Sequence, residues 1–224
     1  MSTAVIIGGG EFPRKEYPRE LIRRADRIVC CDGNAFKAFL RNRAGIFRDD
    51  AREPDAIVGD MDSMPKRLAE RYSHLMVKIE EQDDNDQTKA LHYVLDRFPE
   101  VDTIHFIAAT GKREDHTVGN LGLLMEYARP SAGSGTGRSV ALDMVSDYST
   151  AFTITGSCEL YLGKGRRISI FSPDNSLRIK SKGLEWPTDN VVFDNWWQAT
   201  LNRTCEDSVS LELNHNSLVL IVVD

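Results

Sequence analysis

Short apolar runs, each closed by glycine or a charged residue, alternate with stretches of helical period through the first two-thirds of the chain. Val5-Ile6-Ile7 runs into Gly8-Gly9-Gly10, and a charged helical stretch follows at about 17–24. Arg27-Ile28-Val29-Cys30-Cys31 is closed by Asp32-Gly33, with a short helix expected around 35–40. Asp55-Ala56-Ile57-Val58 ends at Gly59-Asp60; 65–72 reads as helix and Leu75-Met76-Val77-Lys78 as a fourth strand. Ala90, Leu91, Val94, Leu95 and Phe98 then form a stripe at helical period, as on a helix that lies against a sheet. Thr103-Ile104-His105-Phe106-Ile107 predicts another strand, followed by a helix with Val118, Leu121, Leu124 and Met125 inward. Alternation of this kind implies right-handed crossovers and a parallel sheet covered on both faces.

The pattern then changes. The run at 130–137 is rich in Gly and Ser and reads as a surface loop, and 140–145 adds one more strand. After about residue 146 only short runs remain: Phe152-Thr153-Ile154, Glu159-Leu160-Tyr161-Leu162, Ile168-Ser169-Ile170-Phe171, Leu177-Arg178-Ile179, Val191-Val192-Phe193, Val209-Ser210-Leu211-Glu212-Leu213 and Leu218-Val219-Leu220-Ile221-Val222. Turn residues separate them with no helical stripe between, which predicts an all-β sandwich. The fold class is therefore an α/β domain over 1–145 followed by an all-β sandwich over 146–224.

Composition narrows the function classes. The net charge of −6 argues against a general electrostatic grip on nucleic acid. No apolar run approaches the ~20 residues of a membrane helix, and no signal peptide is expected at the N-terminus. The four cysteines show no CxxC spacing, and Cys30 and Cys31 read as small buried thiols, so a reducing cytoplasm fits best.

Acidic motifs fall just after the expected strands: Gly59-Asp60-Met61-Asp62-Ser63, Gln82-Asp83-Asp84-Asn85-Asp86 and Gly111-Lys112-Arg113-Glu114-Asp115-His116. Carboxylates gathered at the carboxyl ends of parallel strands make a hard oxygen site suited to Mg²⁺ and, through it, to a polyphosphate. In extended backbone Asp60 and Asp62 would face one crevice, whereas alone the motif would read as a turn or helix cap. Asp86 is assigned to the metal site with Asn85 as a neutral hydrogen-bonding neighbour, although Asp83 and Asp86 also suit a helix start as caps and as charges against the helix dipole. Lys89, one turn on, could reach a phosphate, but a solvent-exposed side chain is the expectation. Arg113 offers a planar fork to phosphate oxygens. Asp115 could orient it, bind metal or act as a base, and His116 suits a ligand contact or a helix start equally. Gly8-Gly9-Gly10 is neither GxGxxG nor a P-loop, so a nucleotide would bind without Walker chemistry.

In order, these motifs resemble the thiamine pyrophosphokinase family. Its Asp-Gly-Gly-Ala, Gly-Asp-x-Asp-Ser, Asp-x-Thr-Asp and Gly-Arg-x-Asp-His elements are matched by Asp32-Gly33-Asn34-Ala35, Gly59-Asp60-Met61-Asp62-Ser63, Asp83-Asp84-Asn85-Asp86 and Lys112-Arg113-Glu114-Asp115-His116, with Asn120 following. Asn34, Asn85 and Lys112 depart from the usual Gly, Thr and Gly. The resemblance implies a Rossmann-like three-layer domain before the sandwich, and transfer of pyrophosphate from ATP to the thiamine hydroxyl, releasing AMP. It implies catalysis by Asp60, Asp62, Asp86, Arg113 and Asp115, with Mg²⁺ on Asp60, Asp62 and Asp86. Gly9, Asp32, Gly33, Asn85, Arg113, His116 and Asn120 are then the ATP-binding set. It also implies a homodimer holding thiamine between subunits, contacted by Gln82, Trp186, Thr200, Leu201 and Asn202, with Leu201 in place of the usual Ser. Two other readings compete. One is a pyrophosphokinase for another alcohol such as a pterin; the other is a non-catalytic nucleotide-binding regulatory module.

Overall fold

The computed structural model describes residues 2–47, 52–81, 83–129 and 140–224. The glycine- and serine-rich run at 130–137 and the predicted contact Gln82 lie outside the described residues. The chain divides into two compact units. Among the described residues, no helix is long and apolar enough to cross a membrane.

The first unit carries β1 (Ser2–Ile7), α1 (Glu16–Arg24), β2 (Arg27–Cys31), α2 (Asp32–Asn42), β3 (Ala56–Gly59), α3 (Lys66–Arg71), β4 (Met76–Lys78), α4 (Asp86–Arg97), β5 (Val101–Ile107), the start of α5 (Glu114–Tyr127) and β6 (Ala141–Val145). Its strands run in the order β6-β5-β1-β2-β3-β4, and every pairing is parallel. The central strands are buried almost continuously, from Ala4 to Ile7, Ile28 to Cys31 and Ala56 to Val58. Unbroken apolar runs are what a parallel sheet covered on both faces requires. The α4 stripe behaves as its period predicts, with Ala90, Leu91, Val94 and Leu95 buried. On α5 the expected inward face is only partly realised, since Leu124 is buried but Val118 is exposed.

The strand order fixes where a ligand belongs. From β1 the chain moves outward through β2, β3 and β4, then returns to place β5 on the other side of β1 and continues to β6. Connections leaving β1 and β5 therefore diverge, which opens a crevice beyond their carboxyl ends.

The second unit pairs β7 (Thr150–Ile154), β13 (Val219–Val223), β9 (Arg167–Phe171) and β11 (Ala199–Arg203) antiparallel in the order β11-β9-β13-β7. A second layer, β10 (Ile179–Lys182), β12 (Ser208–Leu213) and β8 (Cys158–Tyr161), is antiparallel as well. Ile168 and Ile170 of β9 and Val209 and Leu211 of β12 share one core cluster, the period of two expected of a sandwich. Val191-Val192-Phe193 is not a strand; Phe193 instead plugs the core from a loop. β11 escapes the hydrophobic pattern because it pairs along only one side and keeps Thr200, Leu201 and Arg203 outside the core.

Asp174 ties the β9–β10 loop to the β12–β13 turn. Its carboxylate accepts from Ser176 N–H and Oγ (2.9 and 2.6 Å) and from Ser217 Oγ (2.7 Å), and lies 2.8 Å from His215 Nε2. These bonds, those of Ser176, His215 and Ser217 foremost, hold it well below the usual carboxylate range. A depressed folded-state pKa means the stabilisation is present above the ordinary carboxylate value and is lost as pH falls through the depressed one. Asp174→Ala is expected to cost about 1–2 kcal/mol near neutral pH, with solvent screening allowed for. In urea unfolding the gap between parent and variant should narrow on acidification; a gap independent of pH would refute this role.

Candidate active site

A cleft of about 780 Å³ opens where the strand order reverses, lined by Gly8, Gly9 and Gly10 after β1, and by Ala109, Thr110, Lys112 and Arg113 after β5. The β1 loop is laced to the β5 loop by Gly8 N–H to Ile107 O (2.8 Å), Gly10 N–H to Ala108 O (2.6 Å) and Glu11 N–H to Thr110 O (2.7 Å). A Cβ on Gly10 would stand 2.3 Å from Thr110 O, so the lacing demands glycine there. Lys112 adds a bond from Nζ to Gly9 O (2.8 Å).

Carboxylates gather on the β2–β3 side. Asp32 is the first residue of α2 and sits in the left-handed region (φ 62°). Its Oδ2 accepts from Ser63 Oγ, while its Oδ1 is buried with no hydrogen-bond partner. A Cβ on Gly59 would lie 3.0 Å from Asp86 Oδ1 and 3.2 Å from Asp32 Cβ, so the bare backbone at the end of β3 is what lets these two acids approach. Burial raises the pKa of Asp86, and the neighbouring charges of Asp32 and Asp60 raise it further, against a lowering from Lys89.

Asp62 takes a different course. Met61 is buried with φ at 69°, which interrupts the extended alternation that would have turned Asp60 and Asp62 to one side. Asp62 is exposed, and its N–H donates to Asp60 Oδ1 (3.0 Å) in a tight turn. Among the described residues, no group of three His, Cys, Asp or Glu side chains is placed to hold a metal ion. The expected Asp60–Asp62–Asp86 cluster is thus not assembled as such, and the charges that meet at Asp86 are those of Asp32 and Asp60.

Arg113 and Asp115 form a two-pronged pair, Nε to Oδ1 at 3.0 Å and Nη2 to Oδ2. Bonding to Arg113 first, and His116 N–H at 2.9 Å, hold the Asp115 carboxyl below its ordinary value. That pairing lets Asp115 orient the guanidinium. Asn85 caps α4, its Oδ1 accepting from Thr88 N–H (2.9 Å), and its Nδ2 reaches Asn120 Oδ1 (3.4 Å). Asn120 donates from Nδ2 to Ala109 O (2.7 Å), tying α5 to the end of β5.

Gly9, Asp32, Asn85, Asp86, Arg113, Asp115, His116 and Asn120 all line the cleft. Gly33 is buried outside its lining, and Asp60 and Asp62 are not among the lining residues. Lys37 and Arg41 also line it and were missed. Their signal was available: one turn apart on α2, they lie off the buried positions Ala35, Phe36, Ala38 and Phe39. Acids thus sit within a cleft that also presents Lys37, Arg41, Lys112 and Arg113, a mixed-sign lining suited to a cation-bearing polyphosphate.

In the second unit Trp186 and Leu201 are exposed, and Leu201 holds φ at 59°. A branched side chain in that conformation carries strain, which tends to mark functional positions. Asn202 is buried and committed to Trp186: its Nδ2 donates to Trp186 O (2.6 Å) and its Oδ1 accepts from Trp186 N–H (3.2 Å). Asn202 therefore supports the tryptophan.

Comparison with known proteins gives a consistent outcome. The family model described as thiamin pyrophosphokinase, catalytic domain, matches residues 18–133, just over half of the chain, and that of the thiamin pyrophosphokinase substrate-binding domain matches 150–220. Thiamine pyrophosphokinase 1 of Oryza sativa subsp. japonica is 27% identical over 210 residues, covering 84% of this chain and 74% of that protein. Thiamine pyrophosphokinase 1 of Arabidopsis thaliana is 30% identical over 138 residues, 55% of this chain and 51% of that one. Two solved structures share the fold at a TM-score of 0.75: thiamine pyrophosphokinase from Bacillus subtilis (16% identity, 100% of this chain, 99% of that chain) and thiamin pyrophosphokinase from Candida albicans (19%, 99% and 88%).

Crowding at Asp86 has a stability signature. Its raised pKa means that protonated protein is favoured, so stability is lost as pH rises through the folded-state value. Asp86→Asn removes the repelling charge and is expected to stabilise the metal-free protein at neutral pH, by up to about 1 kcal/mol after screening. The gain should vanish below the carboxylate range, where the parent is already protonated. Thermal unfolding at the two pH values checks this, and a destabilised variant at neutral pH would contradict the crowding.

Proposed function

The chain belongs to the thiamin pyrophosphokinase family, and from that membership we propose that it transfers a pyrophosphoryl group from ATP to the hydroxyl of thiamine, giving thiamine diphosphate and AMP. The observation that carries this reading is the switch-point cleft, where Asp32 and Asp86 share one lining with Lys37, Lys112 and Arg113.

The residues fit a divalent cation. Asp32 presents a buried oxygen without a partner, and Asp86 is pushed toward its protonated form by burial and by Asp32 and Asp60, with Lys89 opposing only in part. Mg²⁺ typically takes one or two carboxylates and completes its shell with water and phosphate oxygens, so three protein ligands are not needed. Asp86, with Asp60 or Asp32 beside it, would hold it, and the ion would supply positive charge to offset that of the phosphates.

In the reaction the thiamine hydroxyl oxygen bonds to the β-phosphorus while the bond from that phosphorus to the α–β bridging oxygen breaks. AMP leaves with the bridging oxygen, and the hydroxyl proton passes to a base. Little covalent work falls to the protein, so positioning and charge dominate. Arg113, its plane fixed by Asp115, presents its remaining N–H groups to phosphate oxygens. Gly9 lets the phosphates approach the backbone, since nothing lies within 4 Å of where its Cβ would be.

For the acceptor, Trp186 supplies an exposed ring, braced by Asn202, to stack on the aminopyrimidine, with Thr200 and Leu201, which precede Asn202 in sequence, and Gln82 as further contacts. Residues 1–145 act as the donor domain and 146–224 as the acceptor domain, in a homodimer with thiamine between subunits. Four free cysteines, two of them fully buried, fit a reducing cytoplasm.

AMP release from Mg-ATP is the test, run with thiamine, with a pterin alcohol and with no acceptor. Thiamine-dependent AMP is expected, and Asp86→Asn and Asp60→Asn should each lower kcat by roughly 10²-fold or more. Arg113→Lys, which loses the fork, should lower kcat/KM about tenfold or more. AMP formed with the pterin alcohol alone would change the acceptor, and normal turnover by both aspartate variants would overturn the site.

A further inference from the structure

Lys89 is 4% exposed, contrary to the solvated side chain expected from the sequence. An ammonium taken out of water must find partners for three donors. Its Nζ donates to Ile79 O (3.4 Å) and to Glu81 O, and lies 3.5 Å from Glu81 Oε1. All of these belong to one segment, the connector between β4 and α4.

Other contacts touch that connector too, among them Lys78 Nζ to Glu80 Oε1 (2.7 Å) and His92 Nδ1 at 3.7 Å from Asp84 Oδ2. Ile79 N–H donates to Gly59 O (3.0 Å), and the Glu81 carboxylate accepts from Asp83 N–H (2.9 Å) and Asp84 N–H (3.0 Å). Glu80, Glu81 and Asp83 are exposed, so their side chains bury little apolar surface to fix their path. Lys89 holds Glu81, Glu81 holds the amides of Asp83 and Asp84, and the chain then delivers Asn85 to the helix cap and Asp86 to the cleft. We propose that Lys89 is a positioning residue, a buried clamp that fixes Ile79 and Glu81 and, through the bonds of Glu81 to Asp83 and Asp84, the placement of Asp86. Its contribution to catalysis rests on the pyrophosphokinase reading, but the clamp itself does not.

Replacing a buried ion by an apolar group of similar length is often neutral for stability or better, so a clamp and a merely structural charge part company in Lys89→Met. The expected result is a melting temperature within a few degrees of the parent. Amides of Ile79, Asp83 and Asp84 should exchange hydrogen about tenfold faster or more, with β3 and β5 protection intact. With Mg-ATP and thiamine, kcat/KM should fall about tenfold or more, because a small misplacement of the carboxylate is costly. Should Lys89→Met not fold, Glu81→Gln, exposed and remote from the core, should show the same changes at smaller size. Unchanged connector exchange in both variants, or kcat/KM within twofold of the parent, would overturn the clamp. A parent inactive with thiamine would count against the assigned reaction, and the exchange comparison would still decide the clamp.

Discussion

Asp32, Asp60 and Asp86 repel one another, and the architecture holds them in range nonetheless. The ends of β2 and β3 and the start of α4 converge on one corner, and Gly59 has no side chain to keep Asp86 and Asp32 apart. Asp32 and Met61 take left-handed backbone there, and Ala108 does so at the end of β5. Such conformations cost free energy and persist only where the surroundings over-determine them. Here the surroundings are strands buried end to end, anchored by Phe36, Phe39 and Phe106. The stability of the sheet is what sustains an unfavourable charge arrangement at its rim.

Much of this was legible in the sequence. Unbroken apolar strands and a helical stripe on α4 specified a parallel α/β domain, and short alternating runs specified the sandwich. Gly59-Asp60, Asp83 to Asp86 and Arg113 to Asp115 stood out because carboxylates after strands are costly without a purpose. What escaped was local geometry. Met61 turns left-handed, a backbone state that residue type does not announce, so the alternation argument for Asp62 failed. Lys89 could not be read as buried because its partners are mainly backbone carbonyls, which leave no trace in composition. Val191-Val192-Phe193 has strand-like chemistry but serves as a plug, since burying Phe193 is enough to satisfy it.

The second unit shows the same division between supporting and presented groups. Asn202 is buried and brackets the backbone of Trp186, leaving the indole exposed, while Leu201 beside it is exposed and strained. In the first unit Asn120, Asn85 and Asp115 support, and Arg113 and Asp86 are presented. Polar residues in a motif are thus not equivalent: those whose hydrogen bonds are internally complete hold the shape, and those with an open valence remain able to take a further partner.

The central claim is that the crowded carboxylates beside the switch-point cleft form a cation site. Anomalous diffraction from crystals grown with Mn²⁺ and a non-hydrolysable ATP analogue tests it most directly. The account predicts a single strong peak in contact with Asp86 and at least one of Asp32 and Asp60, next to the nucleotide phosphates. A nucleotide bound in the cleft with the manganese peak elsewhere, or with no peak at these side chains, would contradict it.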